Sequence, residues 1–203
     1  MNSLARRTPA HHQAVSPSAN LRAASASAHA AAERCPLLAG LARGDLTDAD
    51  YARAMGAFAA LFNVIVDRIG AKVGGSRLLA LSDFEARAAR ARADARTLGG
   101  AERADRVGAG FIQGDASALG ALYVLEGSRL GGVVIASALR AAGRDIGGPG
   151  YTFFDPQGLS PAATWRAFAA QLDKRLTNPW DLDVAVMAAC GVFDMVETLF
   201  GES

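Results

Sequence analysis

The sequence is poor in several features that would place it in common classes of protein. It has 2 cysteines among 203 residues, Cys35 and Cys190, and their wide separation argues against a disulfide framework and fits a reducing compartment. The 21 lysines and arginines nearly balance the 20 aspartates and glutamates, which leaves a net charge of +1. Because nucleic-acid binding requires an excess of cations, we expect no nucleic-acid partner.

Long uninterrupted apolar runs are also missing. The N-terminal segment has no apolar stretch of the kind found in a signal peptide, and its serines, prolines and alanines predict a disordered tail over 1–19, followed by one domain over 20–203. The most apolar window, 119–139, approaches the length of a membrane span but contains Glu126 and Arg129. These patterns predict a cytoplasmic protein that does not enter a membrane.

Runs of β-branched residues bounded by turn signals are scarce, whereas alanine, the strongest helix former, is abundant. A hydrophobic content of 51% is enough for one domain with a substantial core. The pattern therefore predicts an all-α domain. Its main helices are expected at 21–34, 51–69, 117–140, 161–176 and 181–200, and Asn20 is the expected N-cap of the first. A further, charged helix is expected to place its run 85–96 on a solvated face. The stretch 143–158 is expected to be irregular.

Histidine is scarce as well, and only His29 among the 3 histidines lies outside the predicted tail. On a helix, Arg22, Ser25, His29 and Glu33 fall on one stripe. Such a stripe supplies a cation, an imidazole and a carboxylate that can orient the imidazole, as metal-bound histidines usually require. A half-exposed helical histidine with ordinary neighbours also explains the spacing, and on spacing alone it is the simpler interpretation.

Glycine is concentrated in the middle of the central helix, in the segment LYVLEGSRLGG at 122–132. Each of Gly127, Gly131 and Gly132 costs about 1 kcal/mol relative to alanine inside a helix. Gly127 and Gly131 share one face, with Ser128 beside them, so the bare backbone admits either a flat ligand or a closely packed helix. This segment alone leaves both interpretations open.

Taken together, the two segments resemble the haem oxygenase family, and the match extends over nearly all of 21–200. The first helix has the family's pattern Leu-basic-x-x-Ser/Thr-x-x-x-His-x-x-x-Glu, and the central helix has the bacterial string YVLEGSxLGG. The aromatic residues near 151–154 and 165–168 fit the same family. The resemblance implies an all-α, single-domain, haem oxygenase-like bundle of roughly seven to nine helices.

The resemblance also implies roles for the candidate site residues. His29 is matched to the proximal iron ligand, and the distal surface at which O2 reacts is formed by Gly127, Ser128, Gly131 and Gly132. Ser128 stands where animal relatives have aspartate, while the bacterial branch commonly has serine.

Other residues are matched to positions that contact haem. Arg22 and Arg166 correspond to basic residues that bind the propionates, although surface solvation explains either arginine alone. Tyr123 is matched to a propionate contact, and a packed tyrosine is the alternative. The remaining matched positions are Ser25, Glu33, Phe193 and Phe200.

The function implied by the resemblance is cleavage of haem, with O2 and reducing equivalents, to biliverdin, CO and ferrous iron. No Gly-rich dinucleotide fingerprint follows a strand pattern, so an external electron donor is expected, a ferredoxin or an NADPH-linked reductase. Biliverdin could serve a bacterial phytochrome, or the reaction could recover iron. A non-catalytic haem carrier or sensor on the same fold is the alternative, and an unrelated ligand binder is the third hypothesis.

Overall fold

The computed structural model describes residues 15–73, 81–101 and 107–201, and the regular structure of these residues is entirely helical. The predicted all-α class is therefore confirmed, as is a helix number between seven and nine. Most of the predicted tail over 1–19, with His11 and His12, lies outside the described residues. The helices are α1 (Pro17–Ala24), α2 (Ala26–Glu33), α3 (Pro36–Arg43), α4 (Asp48–Val73), α5 (Leu81–Thr97), α6 (Asp115–Ala141), α7 (Pro161–Arg175) and α8 (Pro179–Phe200).

The first helix begins earlier than the sequence pattern predicts. The prediction of Asn20 as its N-cap is wrong, because Ser16 is the N-cap and its hydroxyl accepts a hydrogen bond from Ala19 N at 3.3 Å. Pro17 follows directly, and proline is favoured at the first helical position because its missing N–H would have no partner there. The last residues of the predicted tail, 17–19, therefore belong to α1.

Ser25 divides the predicted helix 21–34 into α1 and α2. Its hydroxyl donates to Leu21 O at 2.8 Å, and its backbone lies outside the α region, with φ −93° and ψ 3°. Hydrogen bonds from Ser25 N to Leu21 O and from His29 N to Ser25 O continue the helical pattern across this point. The two helices are thus halves of one helix that changes direction at a serine bonded back to the preceding turn.

The central helix α6 is surrounded by helices that pack on different faces of it. It packs extensively on α8, where the backbone of Gly120 approaches Ala185 so closely that a Cβ would overlap the Ala185 carbonyl. The end of α3 crosses α6 at Gly44, which has a left-handed backbone with φ 74° and whose Cβ would lie 2.6 Å from Ala138 O. Glycine is therefore required at both crossings.

Helix α5 is less solvated than its charge pattern predicts. Arg87 and Asp94 lie inside the predicted solvated run, but their exposed fractions are 4% and 1%. The Asp94 carboxylate accepts hydrogen bonds from Thr152 N, Thr152 Oγ1 and Phe153 N at 2.8 to 2.9 Å. The prediction of a wholly solvated face is wrong, because α4 and the loop after α6 cover part of the charged helix.

Two helices of the described residues are long and apolar enough to span a membrane by length and composition, over Asp48–Lys72 and Asp115–Ala141. More than half of each apolar window is buried within the protein. Helices in the core of a soluble bundle have the same properties, so these spans are weak indications of a membrane protein.

Candidate functional site

His29 presents its imidazole at the surface of α2, where the side chain is 56% exposed. One side of the ring is braced by Phe193 of α8, with the two ring centroids 5.4 Å apart and the planes at 82°. Glu33 Oε1 lies 3.7 Å from His29 Nε2, which is an ion-pair separation rather than a hydrogen bond. Three of the predicted residues are thus brought together, and the imidazole remains accessible to a ligand.

The bend at Ser25 is joined to α6 through Tyr123. Burial raises the pKa of the Tyr123 hydroxyl, while a side-chain hydrogen bond with Ser25 and the positive charge of Arg22 oppose this rise. Ser25 is buried and Arg22 is exposed, so the serine anchors the contact and the arginine stays accessible at its edge. These three predicted residues therefore form one group between α1 and α6.

One face of α6 carries glycine backbone and exposed apolar side chains. Gly127, Leu130, Gly131 and Val134 follow helical spacing on this face. Among the described residues, and leaving aside its own helix backbone and chain neighbours, a Cβ at Gly131 would meet no atom within 4 Å, and one at Gly127 would meet only Trp165, at 3.6 Å. Leu130 and Val134 are 37% and 60% exposed. We call these four residues the open face of α6.

Gly132 differs from the other two glycines of the motif. It is buried, and a Cβ there would lie 3.4 Å from the Phe154 ring. This glycine faces the aromatic core on another side of α6. Its lack of a side chain makes room for Phe154 and does not contribute to the open face.

Ser128 is held by Arg87, a residue that sequence reasoning assigned to the surface. Arg87 Nη2 donates to Ser128 Oγ at 3.1 Å, Arg87 Nη1 donates to Leu125 O at 2.9 Å, and Ser128 Oγ donates to the same carbonyl at 2.7 Å. The guanidinium lies over Phe62 and Phe153, with its carbon 4.6 Å and 5.3 Å from the ring centroids. Burial lowers the pKa of Arg87 to about 10, and the negative charge of Glu126 opposes this shift.

Glu126 is a buried carboxyl next to Gly127, and it lies within the 122–132 segment but was assigned no role there. Its Oε2 accepts from Arg129 Nε at 2.9 Å, and Arg129 also pairs with Asp83. Its Oε1 is buried without a hydrogen-bond partner among the described residues. Burial raises the pKa of Glu126, and the positive charge of Arg87 and the nearby Thr164 hydroxyl oppose this rise. The burial of Arg87 and Glu126 could not be found from local sequence, because the hydrogen bonds between Arg87 and α6 join residues that lie far apart in the chain.

Two predicted residues lie apart from these groups. Arg166 is exposed on α7, directly after Trp165, whose ring packs on Tyr123 at a centroid distance of 5.5 Å. Phe200 has no exposed surface and packs on Phe58 at 4.7 Å, so it belongs to the aromatic core in this structure.

The arrangement suits a flat, largely apolar ligand with a metal that accepts one imidazole. The open face of α6 exposes apolar side chains around glycine backbone, and exposed apolar surface of this kind marks binding sites. Helices α2 and α6 both pack on α8, so His29 and the open face are held by one supporting helix. Haem fits both requirements, because its iron binds imidazole and its ring can lie on glycine backbone between apolar side chains.

Comparison with known proteins identifies the fold. No family model matches the sequence, and no curated protein matches it. Among solved structures, the haem oxygenase of Leptospira interrogans matches with a TM-score of 0.71 and 18% identity, over 93% of this chain and 100% of that one. The NO- and CO-bound haem oxygenase of Neisseria meningitidis matches with a TM-score of 0.72 and 18% identity, over 94% of each chain. The chain therefore has the fold of the haem oxygenases, as its motifs predict.

Proposed function

We propose that the protein is a haem oxygenase, which cleaves haem with O2 and electrons to biliverdin, CO and ferrous iron. The observation that carries the proposal is the pairing of an accessible imidazole, His29, with the open face of α6 on helices that share one support. The fold of this chain, which two haem oxygenases share, supports it.

In this proposal, His29 ligates the haem iron and Phe193 limits the rotation of the imidazole. Gly127 and Gly131 allow the porphyrin to approach the α6 backbone, since a side chain at either position would project from that face. When bound, haem supplies the iron that binds O2 and the carbon that is oxidised.

The cationic residues orient the ring within its plane. Arg22 and Arg166 are exposed, so both guanidinium groups are accessible to the propionates, which an arginine can pair bidentately. Tyr123, hydrogen-bonded to Ser25, adds a polar group beside Arg22. The rotation of the ring decides which meso carbon lies under the reacting oxygen.

Ser128 and Arg87 form a hydrogen-bonded pair at the polar side of α6. The Ser128 proton is committed to Leu125 O, and one of its lone pairs to Arg87. A hydroxyl has two acceptor lone pairs, so Ser128 can accept one further hydrogen bond, from a water molecule. We infer that Ser128 positions water, and that any proton reaching the distal side comes through that water.

The proposal requires a separate electron donor, a ferredoxin or an NADPH-linked reductase. It also places the protein in the cytoplasm, where biliverdin could pass to a bacterial phytochrome or the released iron could be reused.

A non-catalytic haem carrier or sensor is the second candidate. One observation favours it, namely that both hydrogen bonds of Ser128 go to the protein interior rather than towards the open face. If no water bridges Ser128 to the ligand, haem binds but O2 activation has no proton source.

Titration with hemin separates these possibilities. We expect a Soret band that saturates at one haem per chain in the wild type and in Ser27→Ala, an exposed control on the same helix. In His29→Ala the band should shift to that of haem without the protein imidazole, and added imidazole should restore it. Absence of a His29-dependent shift would refute the haem site.

Turnover is then tested by adding O2 and an electron donor to the wild-type complex. Loss of the Soret band with release of CO and chromatographically identified biliverdin supports the enzyme. A complex that returns to the ferric state with its Soret band intact supports the carrier.

A further inference from the structure

A cavity lies on the side of α6 opposite to its open face. It has a volume of about 220 Å³ and is lined by Arg87, Arg90, Arg129 and Arg140, with Phe153 and Phe154 among its apolar walls. We call it the arginine cavity. The exposed side chains of Val133 and Leu159 lie at its edge, so it is open to solvent.

The arginines of this cavity are not equally available to a ligand. Arg129 is already paired with Glu126 and Asp83, and it therefore lines the cavity without a free charge to offer a ligand. Arg90 Nε is buried without a hydrogen-bond partner among the described residues. Arg140 is exposed on the last turn of α6. A buried N–H without a partner is destabilising, so a hydrogen-bond acceptor that entered the cavity and met Arg90 Nε would be stabilised there.

The negative charges nearby do not cancel this cationic character. Asp155 is the one carboxylate among the described residues that line the cavity. Asp94 lies close enough to affect Arg90, but its two oxygens already accept three hydrogen bonds from Thr152 and Phe153. Within the described part of the chain, Asp155 is therefore the carboxylate that Arg87, Arg90 and Arg140 share the cavity with.

The apolar walls define the rest of the ligand. Phe153 and Phe154 are joined along one side by Pro156, Leu159 and Pro161. Pockets for drug-sized ligands start at about 300 Å³, so this cavity suits a smaller molecule. A guanidinium pairs a carboxylate through two parallel hydrogen bonds, and an aromatic wall favours a flat ligand.

We propose that the arginine cavity binds a small organic carboxylate with a flat apolar part, held by Arg90 and Arg140 and packed on Phe153 and Phe154. This site is separate from the proposed haem site and does not require haem. Its ligand would lie one helix thickness from the open face, next to the guanidinium that holds Ser128.

Calorimetric titration of the haem-free protein with benzoate tests the proposal, with benzamide as its uncharged isostere and inorganic phosphate as an anion without an apolar part. We expect saturable binding of benzoate and at least about tenfold weaker binding of the other two compounds. Benzamide cannot form the ion pair with the arginines, and phosphate cannot pack on the aromatic wall. Equal binding of benzoate and benzamide, equal binding of phosphate, or no binding of benzoate would overturn the proposal.

Variants locate the binding in the cavity. Arg90→Gln and Arg140→Gln should each weaken benzoate binding about tenfold, while Arg96→Gln, an exposed arginine on the same helix as Arg90, should leave it unchanged. Asp155→Asn should strengthen binding, because it removes the opposing carboxylate. If Arg96→Gln weakens binding as much as Arg90→Gln, or Asp155→Asn has no effect, benzoate binds elsewhere.

Discussion

At the residue scale, Arg87 is a charge kept inside the fold by contacts from three directions. Its guanidinium donates to the α6 backbone and to Ser128, lies over two aromatic rings, and is close to the charge of Glu126. Arginine suits this position better than lysine because its planar group combines stacking with several directed hydrogen bonds. The same residue therefore contributes to stability and to the orientation of the candidate catalytic serine.

Replacing Arg87 by Met tests this dual role. The substitution leaves Ser128 without one partner and Glu126 without one of its two nearby cations, so we expect a loss of about 3 kcal/mol in the free energy of unfolding. Urea denaturation measures this loss. The control Arg96→Met, at an exposed position on the same helix, should change stability by less than about 0.5 kcal/mol. Equal effects of the two substitutions would contradict the structural role of Arg87.

At the scale of a single element, α6 shows that its glycines serve different purposes. Gly120 permits contact with α8, Gly132 faces Phe154, and Gly131 has no neighbour on its side-chain side in the part of the chain that the structure describes. In a protein without a ligand, the glycine at 131 weakens the helix and brings no packing in return. A glycine that weakens the helix without improving the packing is expected where the backbone must stay accessible to a ligand.

Gly131→Ala should therefore have opposite effects on two properties. Alanine has the higher helix propensity and no neighbour to clash with, so the haem-free protein should gain up to about 1 kcal/mol in stability. The added methyl group projects from the open face and should weaken hemin binding. Thermal unfolding and hemin titration measure the two effects, and Gly120→Ala should instead destabilise strongly. A Gly131→Ala variant with unchanged hemin affinity would argue against the open face as the haem surface.

The elements also show how far sequence patterns reach. The bounds of α7 and α8 follow closely from proline positions and apolar spacing, and the resemblance to haem oxygenases is confirmed at the level of the fold. The start of α1 was missed because Ser16 and Asn20 are both acceptable caps, and only the following proline distinguishes them. The burial of the α5 charges could not be predicted, since the side chains that cover them come from α4 and from the loop after α6.

At the scale of the whole molecule, Asp94 fastens the loop after α6 to α5. Its carboxylate accepts three hydrogen bonds from Thr152 and Phe153, and these hold the Phe153 ring against Phe58 and Phe62. The loop thereby closes the aromatic core behind α6. A substitution of Asp94 should therefore loosen both the attachment of the loop and the packing of Phe153 in the aromatic core.

Asp94→Asn keeps the shape of the side chain but replaces one acceptor oxygen by a donor. We expect a loss of about 2 kcal/mol, because at least one buried N–H or hydroxyl of the loop loses its acceptor. Hydrogen exchange should show faster exchange at the Thr152 and Phe153 amides. Asp145→Asn, an exposed residue of the same loop, should leave these amides protected; if it accelerates their exchange equally, the loop is not held through Asp94.

Ligand binding at the proposed haem site should stabilise the entire bundle, because α2 and α6 are joined through α8. A ligand that binds only the folded state adds about 3 kcal/mol when its free concentration is 100 times Kd, which corresponds to an increase of about 6–12 °C in Tm for a domain of this size. Thermal unfolding at increasing hemin concentrations measures the increase, with protoporphyrin IX as the metal-free control. If His29 ligates the iron, hemin should stabilise more than protoporphyrin in the wild type, and this difference should disappear in His29→Ala. Equal stabilisation by both compounds in the wild type would mean that the porphyrin is held by apolar contact alone, without the iron–imidazole bond on which the proposed oxygenase depends.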